Sequence, residues 1–413
     1  MPELLLLSPS VPDCCIAGTG SRFARTWISA LSTYGRVHLV SPATIENASA
    51  PTDRLPPGVE VTLVPLGPPP HSWTARIHGA IAGCITPGFA SLEAFRSSPA
   101  FSNAVASADL VEIHWQQLLP LAKDIRKRRP DLPITAFVYD VMNRKPHREA
   151  KPARRVQTRI GSAVQTNRAP RLELRLLAAV DQIFTFTQVD RRLLLSMGVT
   201  RPVEVVDPNF ELSGDDGSRG DRPVVAFTGA MSRSTNTGSI GWFLTRVWPR
   251  VLSEVSNATL IVGGANPPEW LWRQGSSSVV VTGCTDDVNE AYGSAALSVA
   301  PPTSDTGIKF KVLEAMAYGL AVVATPKAAE GVVEEAGHGC FAGVTADPRQ
   351  MAERIVFCLR HPDYRSGVGI RARRWVDSRS SFEGSVSSSL QIYSRLRSTT
   401  GGSRDRLTIA SPA

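Results

Sequence analysis

Short apolar runs alternate with amphipathic stretches along the whole chain, and this alternation is typical of parallel sheets covered by helices. In the first half, seven apolar runs are predicted to form strands: Leu4–Leu7, Val37–Val40, Val59–Leu66, Leu110–Ile113, Ile134–Tyr139, Gln182–Phe186 and Val203–Val206. Amphipathic stretches between them predict helices, for example at Phe23–Leu31 and Leu172–Val180. The pattern therefore predicts an α/β domain over residues 1–207.

A polar, glycine-rich segment flanked by prolines, PNFELSGDDGSRGDRP, interrupts the alternation and predicts an interdomain linker at 208–222. The alternation restarts in a second α/β domain, predicted at 223–398. Its predicted elements are strands Val224–Thr228, Thr259–Val262, Val279–Thr282, Leu297–Ala300 and Ala321–Ala324, and helices Ser239–Glu254 and Lys309–Tyr318. Its final helical segment is a candidate to return to the first domain. Residues 399–413 lack periodicity and are predicted to be a disordered tail.

Composition supports a globular two-domain chain. The 413 residues are 42% hydrophobic and 20% charged, which is enough for two full-sized cores. No apolar run approaches the ~18 to 20 residues of a membrane span, and Leu4–Leu7 has no basic leader before it, so we expect a cytoplasmic protein. The six cysteines are scattered without a CxxC pair, so we expect reduced thiols and no zinc site.

The net charge of +8 is unevenly distributed. Between Arg144 and Arg175 the chain is rich in arginine and lysine, with Glu149 and Glu173 as the only acids. Such a stretch is either a solvated basic face or a surface for an anionic partner, above all an anionic membrane. Nucleic acid is not expected as a partner, because no aromatic residues interleave the charges.

The segment 301–319 carries the strongest chemical signal. It leaves a predicted buried strand and enters a helix, so that Lys309 and Lys311 fall in the first helical turn, where the helix dipole disfavours cations. A bound anion at this helix start would offset the conflict, and backbone N–H groups after Gly307 are suited to phosphate. The alternative is structural: the lysines extend to solvent, or Lys311 forms an exposed ion pair with Glu314.

The same segment carries a family resemblance. GIKFKVLEAMAYGLAVVAT resembles the donor-site signature of retaining family 4 (group 1) glycosyltransferases, which have the GT-B architecture of two Rossmann-like parallel-sheet domains facing a cleft. Two further segments resemble that family: 227–231 with Asn236, and 281–283 with 286–288. The resemblance implies a hexosyltransferase-type enzyme that moves a sugar from a nucleotide sugar to a hydroxyl acceptor, without a metal ion or other cofactor.

The resemblance also implies donor-side roles for individual residues. Glu314 matches the second acid of an E-x7-E motif that holds the ribose of the nucleotide. The first acid would fall at Thr306, and either Asp305 or the Thr306 hydroxyl is a candidate to replace it. The other residues assigned to donor binding are Gly229, Gly283, Gly307 and Ile308.

Cations are expected around the diphosphate leaving group, because negative charge builds there in the transition state. Arg233 lies in the loop after the first strand of the second domain, but Asn236 stands where the resemblance leads us to expect a second cation. Lys309 is therefore predicted to supply the missing charge.

The first domain is expected to bind the acceptor. Gly18 and Gly20 lie in a predicted loop before a helix that starts near Arg22, where they would approach phosphate and acceptor; a flexible turn is the alternative. Asp140 follows a strand and is a candidate catalytic residue, although Tyr139 replaces the histidine that often precedes it in the family. His114–Trp115, at another strand end, is equally compatible with packing.

Two other functions stay open at this point. The departure at Thr306 is compatible with a nucleotide-sugar epimerase or a phosphorylase on the same fold, and a catalytically degenerate GT-B protein would bind nucleotide without transfer. The basic stretch, if it faces anionic lipid, would suit a peripheral enzyme at the inner membrane face, with a lipid-linked or envelope glycan as acceptor.

Overall fold

The computed structural model describes residues 1–12, 19–50, 52–67, 89–139, 141, 172–208, 222–231, 233–283, 289–302, 310–379 and 382–401. The chain divides into two compact units. Unit 1 comprises residues 1–11, 26–206 and 382–413, and unit 2 comprises residues 12–25 and 207–381. Most of the linker predicted at 208–222, namely 209–221, lies outside the described residues.

The sheet of unit 1 has seven parallel strands in the order β3-β2-β1-β4-β5-β6-β7. They are β1 Glu3–Leu7, β2 Arg36–Pro42, β3 Val59–Val64, β4 Leu110–His114, β5 Ile134–Phe137, β6 Gln182–Thr185 and β7 Val203–Val205. A strand lies at each predicted position. Leu4 pairs with Val37 on one side and with Leu110 on the other, and the buried run Leu4–Leu7 is unbroken because helices cover both faces of a parallel sheet.

Helices flank this sheet. Those described before residue 207 are α1 Thr19–Tyr34, α2 Ile45–Ala48, α3 Phe89–Ser97, α4 Pro99–Ser107, α5 Pro120–Arg128, α6 at 172–177 and α7 Gln188–Ser196. Helix α1 begins at Thr19, three residues before the predicted start, so Gly20 lies in a first helical turn and not in a loop. First-turn N–H groups need no helical acceptor, and glycine adopts helical angles without steric cost.

The sheet of unit 2 has six parallel strands in the order β10-β9-β8-β11-β12-β13. They are β8 Val224–Thr228, β9 Thr259–Gly263, β10 Val279–Gly283, β11 Leu297–Ala300, β12 Ala321–Ala324 and β13 Gly343–Val344. The first five were predicted, and β13 was not, because two residues carry no periodic signal. The order reverses between β8 and β11, and open α/β sheets bind ligands at such a switch point, beyond the carboxyl ends of the strands.

The described helices of unit 2 are α8 Ser234–Arg246, α9 Trp248–Glu254, α10 Glu269–Trp272, α11 Asn289–Tyr292, α12 Phe310–Ala317, α13 Pro326–Ala329, α14 Val333–Ala336, α15 Pro348–Arg360 and α16 Pro362–Ser378. The single helix predicted at Ser239–Glu254 is wrong. Pro249 ends the hydrogen-bond ladder of α8, because proline has no N–H and its ring displaces the carbonyl four residues earlier. Pro249 instead occupies the first turn of α9, where its missing N–H costs nothing.

A long C-terminal helix, α17 Phe382–Gly401, belongs to unit 1. Its Phe382 ring lies 6.1 Å from Trp27, and Tyr393 is fully buried. The helix includes residues 399–401, which the sequence placed in a disordered tail, because packing of its earlier turns supports a Thr-Thr-Gly end of low intrinsic propensity. Among the helices that the structure describes, none combines the length and the apolarity needed to cross a bilayer.

Candidate functional site

At the switch point of unit 2, three strands end in glycine backbone that packs closely. The Gly229 N–H donates to the carbonyl of Gly263 at 3.0 Å, and the Gly264 N–H donates to the carbonyl of Gly283 at 2.9 Å. Gly264 has a φ of +146°, and a Cβ there would lie 1.8 Å from the Gly229 carbonyl oxygen. Only glycine fits this position. The carboxyl ends of β8, β9 and β10 therefore form a continuous edge of backbone, here called the glycine edge (Gly229, Gly264 and Gly283).

Two of the predicted donor-binding glycines lie on this edge. A Cβ on Gly229 would lie 3.0 Å from the Asn236 amide group, and a Cβ on Gly283, whose φ is +73°, would lie 3.2 Å from the Trp272 ring. Both positions thus have a packing reason to be glycine. Their assignment to donor binding stays a prediction.

A lysine from helix α12 reaches the first turn of helix α8, which follows β8. The Lys311 Nζ donates to the Asn236 Oδ1 at 2.7 Å and lies 4.6 Å from the centre of the Phe227 ring. The buried Asn236 is itself held by its Nδ2, which donates to the Ala230 carbonyl at 2.9 Å. The resemblance led us to expect a cation at position 236, where the sequence has asparagine. Lys311 brings a positive charge to this position from another helix.

Lys311 is a residue whose role sequence reasoning left open. It was placed with Lys309 in the first helical turn, where a bound anion would offset both charges, with solvent exposure or an exposed ion pair with Glu314 as the alternative. The role of the missing cation was given to Lys309. Lys309 lies outside the described residues. An available signal was the position of Lys311 one helical turn before Glu314, on the side of α12 that packs against the sheet.

Glu314 lies in the second turn of α12, and its side chain is buried at 2% exposure. The structural alternative, an exposed salt bridge between Glu314 and Lys311, is therefore wrong. The residues on both sides of Glu314, Leu313 and Ala315, are buried as well, so this part of the helix contributes no solvated face. An ionised carboxylate is costly to bury and is retained where polar groups surround it.

Tyr292 of α11 links the same elements and was missed by sequence reasoning. Its hydroxyl lies 2.6 Å from the Thr228 Oγ1 at the end of β8 and donates to the Lys311 carbonyl at 3.4 Å. Its fully buried ring lies 5.2 Å from that of Tyr318. Tyr292 thereby holds the start of α12 against the end of β8.

Arg233 is the N-terminal capping residue of α8, and it is exposed. Its backbone N–H donates to the Ala230 carbonyl at 3.2 Å, which places it in the turn between the glycine edge and α8. The remaining predicted site residues lie outside the described residues: Gly18, Asp140, Asp305, Thr306, Gly307, Ile308 and Lys309. The basic stretch is outside them from 144 to 171, and its Glu173 is fully buried.

The carboxyl edge of the unit 1 sheet carries a buried polar network centred on Glu112. Its Oε1 accepts from the Trp27 Nε1 at 2.9 Å and pairs with the His114 Nε2 at 2.9 Å. Its Oε2 accepts from the Tyr393 hydroxyl. All four side chains are buried. The network fastens α1, β4 and the C-terminal helix α17 to one another.

Tyr139, which replaces the expected histidine, belongs to this network. Its hydroxyl lies 2.8 Å from the His114 Nδ1. Burial and the nearby Glu112 raise the pKa of Tyr139 well above its usual value, so the hydroxyl stays protonated near neutral pH. The Tyr139 ring stacks on Trp115 at 4.0 Å and 7°. Trp115 has a φ of +70°, a strained conformation for a bulky residue that its packing has to maintain.

No cluster of three or more side chains suited to a metal ion is found within the described ranges. Burial raises the pKa of Cys358 to about 11 and also raises that of Cys340, so neither is a nucleophile near neutral pH.

Comparison with known proteins identifies the C-terminal unit. Residues 222–361 match the family model "Glycosyl transferases group 1", which confirms the predicted family and enzyme class. No curated protein matches the chain in sequence.

Solved structures extend the likeness to the whole chain. Sucrose-phosphate synthase from Thermosynechococcus elongatus is 15% identical, with a TM-score of 0.71 over 97% of this chain and 100% of that one. Anabaena HepE, solved with UDP and glucose, is 14% identical with a TM-score of 0.62 over 95% and 100%. A mutant of S. aureus TarM, solved with fondaparinux, α-GlcNAc-glycerol and UDP, is 8% identical with a TM-score of 0.65 over 95% and 100%. The predicted GT-B fold is thereby confirmed.

Proposed function

Because residues 222–361 belong to the group 1 glycosyltransferases, we propose that this chain transfers a sugar from a nucleoside diphosphate sugar to a hydroxyl acceptor, with retention of configuration. Support for the donor class comes from HepE and TarM, which share the fold and were solved with UDP. Donor binding is assigned to unit 2 and acceptor binding to unit 1.

The observation that carries the proposal is the Lys311 ammonium beside the glycine edge. The bond between the anomeric carbon and the diphosphate oxygen breaks during transfer, and negative charge builds on the departing diphosphate. A cation fixed in advance by Asn236 and Phe227 stabilises this charge without reorganisation. Strand ends without side chains let the phosphates approach the backbone closely.

The other donor-side roles follow from the sequence. Glu314 is proposed to accept hydrogen bonds from the ribose hydroxyls, and Arg233 and Lys309 to add positive charge around the diphosphate. The remaining residues proposed for the donor are Asp305, Thr306, Gly307, Ile308, Gly229 and Gly283.

On the acceptor side, the hydroxyl is proposed to attack the anomeric carbon from the face that the diphosphate leaves. The new bond joins the acceptor oxygen to that carbon, and the hydroxyl proton passes to the departing diphosphate, so no covalent enzyme intermediate is needed. Asp140 is proposed to orient the acceptor, with Gly18 near both substrates.

Product analysis with a panel of nucleotide sugars tests the reaction class. A glycosylated acceptor with retained anomeric configuration supports the proposal. An epimerised nucleotide sugar or a sugar phosphate would indicate the epimerase or phosphorylase alternative, and absence of even slow donor hydrolysis would indicate a binding protein.

Lys311→Ala tests whether the Lys311 ammonium stabilises the departing diphosphate. We expect turnover to fall roughly 10²- to 10³-fold, which is the usual cost of removing one group that stabilises transition-state charge, while Lys311→Arg retains more activity than Lys311→Ala. Lys123→Ala, an exposed lysine of α5, is the matched control. Normal turnover of a folded Lys311→Ala variant, judged by its melting temperature, would contradict the assignment.

A peripheral location at an anionic membrane is proposed on the basic stretch alone, where each cation adds about 1 kcal/mol near anionic lipid. It would suit a lipid-linked or envelope glycan as acceptor. Cosedimentation with phosphatidylglycerol vesicles at low and high salt tests it, and equal recovery in the supernatant with and without vesicles would remove it.

A further inference from the structure

Helix α10 carries two exposed tryptophans two residues apart, with Leu271 fully buried between them. Trp270 is 42% exposed and Trp272 is 49% exposed. Tryptophan side chains are highly buried on average, so two exposed indoles on one short helix are an informative departure. The two rings also have different neighbours, which separates their possible functions.

The Trp272 ring lies at the end of the glycine edge. The Cη2 and Cζ2 atoms of its six-membered ring would lie 3.2 Å from a Cβ on Gly283, the last residue of β10. Trp270 instead lies near Gly241 in the middle of α8, where a Cβ would be 3.4 Å from its ring. Of the two exposed tryptophans, therefore, Trp272 is the one that borders the carboxyl ends of the strands.

The positions along the edge fit the parts of a nucleoside diphosphate. Lys311 and Asn236 mark the phosphate side, next to β8. Gly264 and then Gly283 continue the edge across β9 to β10. Two strand spacings separate β8 from β10, which is about 10 Å. A ribose and its 5′ ester link separate the base of a nucleotide from its diphosphate by a comparable span, so the base falls at the β10 end.

We propose that Trp272 is the stacking surface for the base of the donor nucleotide, with Gly283 left without a side chain so that the indole reaches the strand end. This inference rests on the proposed function, because it assigns a position to the base of the nucleotide-sugar donor. Because every base has a π-face, stacking on an indole tolerates different bases. Trp272 therefore contributes affinity for nucleoside diphosphates as a class, and selection among bases lies elsewhere.

Calorimetric titration of wild type, Trp272→Ala, Trp272→Phe and Trp270→Ala with UDP, GDP, ADP and inorganic pyrophosphate tests the proposal. For whichever nucleoside diphosphates the wild type binds, we expect Trp272→Ala to weaken binding roughly tenfold or more, with partial recovery in Trp272→Phe. Trp270→Ala is the matched control and should bind like wild type. Pyrophosphate affinity should not change in any variant, since pyrophosphate has no base.

The outcomes separate this inference from the proposed function. If wild type binds none of the nucleoside diphosphates, the proposed donor class is wrong and the inference falls with it. If wild type binds one and Trp272→Ala matches Trp270→Ala, only the stacking role is wrong. Equal losses for nucleoside diphosphate and pyrophosphate would also overturn it, because they would indicate a disturbed phosphate site. Melting temperatures of all variants show whether each is folded.

Discussion

The carboxyl edges of the two sheets are built in opposite ways. In unit 1 the strand ends carry large buried side chains, with Glu112 and His114 linked to Tyr139 and the strained Trp115 stacked on top. In unit 2 the strand ends are the backbone of Gly229, Gly264 and Gly283. Strand order places the switch point at corresponding positions, between β1 and β4 in one sheet and between β8 and β11 in the other.

The difference teaches how one sheet topology serves two tasks. A bare edge leaves space beyond the strand ends, whereas a filled edge fixes the surrounding elements through side-chain contacts. Mutations should therefore damage the glycine edge through added volume and the Glu112 network through lost hydrogen bonds.

Added volume at the glycine edge should have the largest effect. Gly264→Ala would place a Cβ 1.8 Å from the Gly229 carbonyl oxygen, and backbone atoms cannot move aside cheaply. We expect a loss of at least ~4 kcal/mol in the free energy of unfolding, or failure to fold. Denaturant unfolding measures it. Gly238→Ala in α8 has nothing within 4 Å of the added Cβ and should be neutral or stabilising by up to ~1 kcal/mol. Similar effects of the two changes would contradict the account.

Loss of one hydrogen-bond acceptor in unit 1 should rank second. Glu112→Gln keeps the volume but sets an NH2 group against donors such as the Trp27 indole and the Tyr393 hydroxyl. We expect a loss of about 3 kcal/mol in the free energy of unfolding. The control is Glu60→Gln, whose side chain is 71% exposed and which should stay within ~0.5 kcal/mol of wild type. A stability of Glu112→Gln equal to that of the control would show that the network contributes nothing.

Binding at the glycine edge should respond to Glu314 without gross unfolding. Glu314→Gln keeps the volume of the buried side chain and removes the charge that would hold the ribose hydroxyls. Nucleoside diphosphate affinity should fall roughly ten- to a hundredfold, measured by calorimetry beside melting temperatures. Glu353→Gln, an exposed acid of α15, is the control. Unchanged affinity in the Glu314 variant would refute the assignment of the ribose to this residue.

The smallest effect concerns Cys358 of α15, in the hydrophobic core of unit 2. Burial raises the pKa of Cys358 to about 11, so at pH 8 only about one thiol in a thousand is ionised. Iodoacetamide should leave Cys358 of the folded protein unmodified, as read by mass spectrometry, and modify it after denaturation. A raised folded pKa gives a stabilising contribution that is complete below about pH 9 and is lost as the pH rises to about 11. Rapid modification of the native protein at pH 8 would contradict this.

The sequence predicted the regular elements well because their signal is local. The run Leu4–Leu7 indicates a strand buried on both faces, and its neighbours along the chain carry that signal. Gly229 and Gly283 were found from motif spacing. Gly264, in contrast, stands in a Gly-Gly pair whose second member is essential only because β8 and β9 lie side by side.

The residues that sequence reasoning missed depend on distant contacts. Lys311 meets Asn236 across 75 residues, and Tyr393 meets Glu112 across 281. The spacing of Lys311 from Glu314 was a signal, but the contact with Asn236 shows only in the fold. The burial of Glu314 likewise depends on what covers α12, which the sequence does not show.

By itself, the sequence determined the two α/β regions, the positions of every described strand except β13, and the family of residues 222–361, because hydrophobic periodicity and motif spacing act over a few residues. Only the tertiary structure showed that Lys311 lies beside Asn236. It also showed that Gly264 has no room for a side chain and that Glu314 is buried. Those properties arise where sheet order brings strand ends together, and the contacts there join residues far apart in the chain.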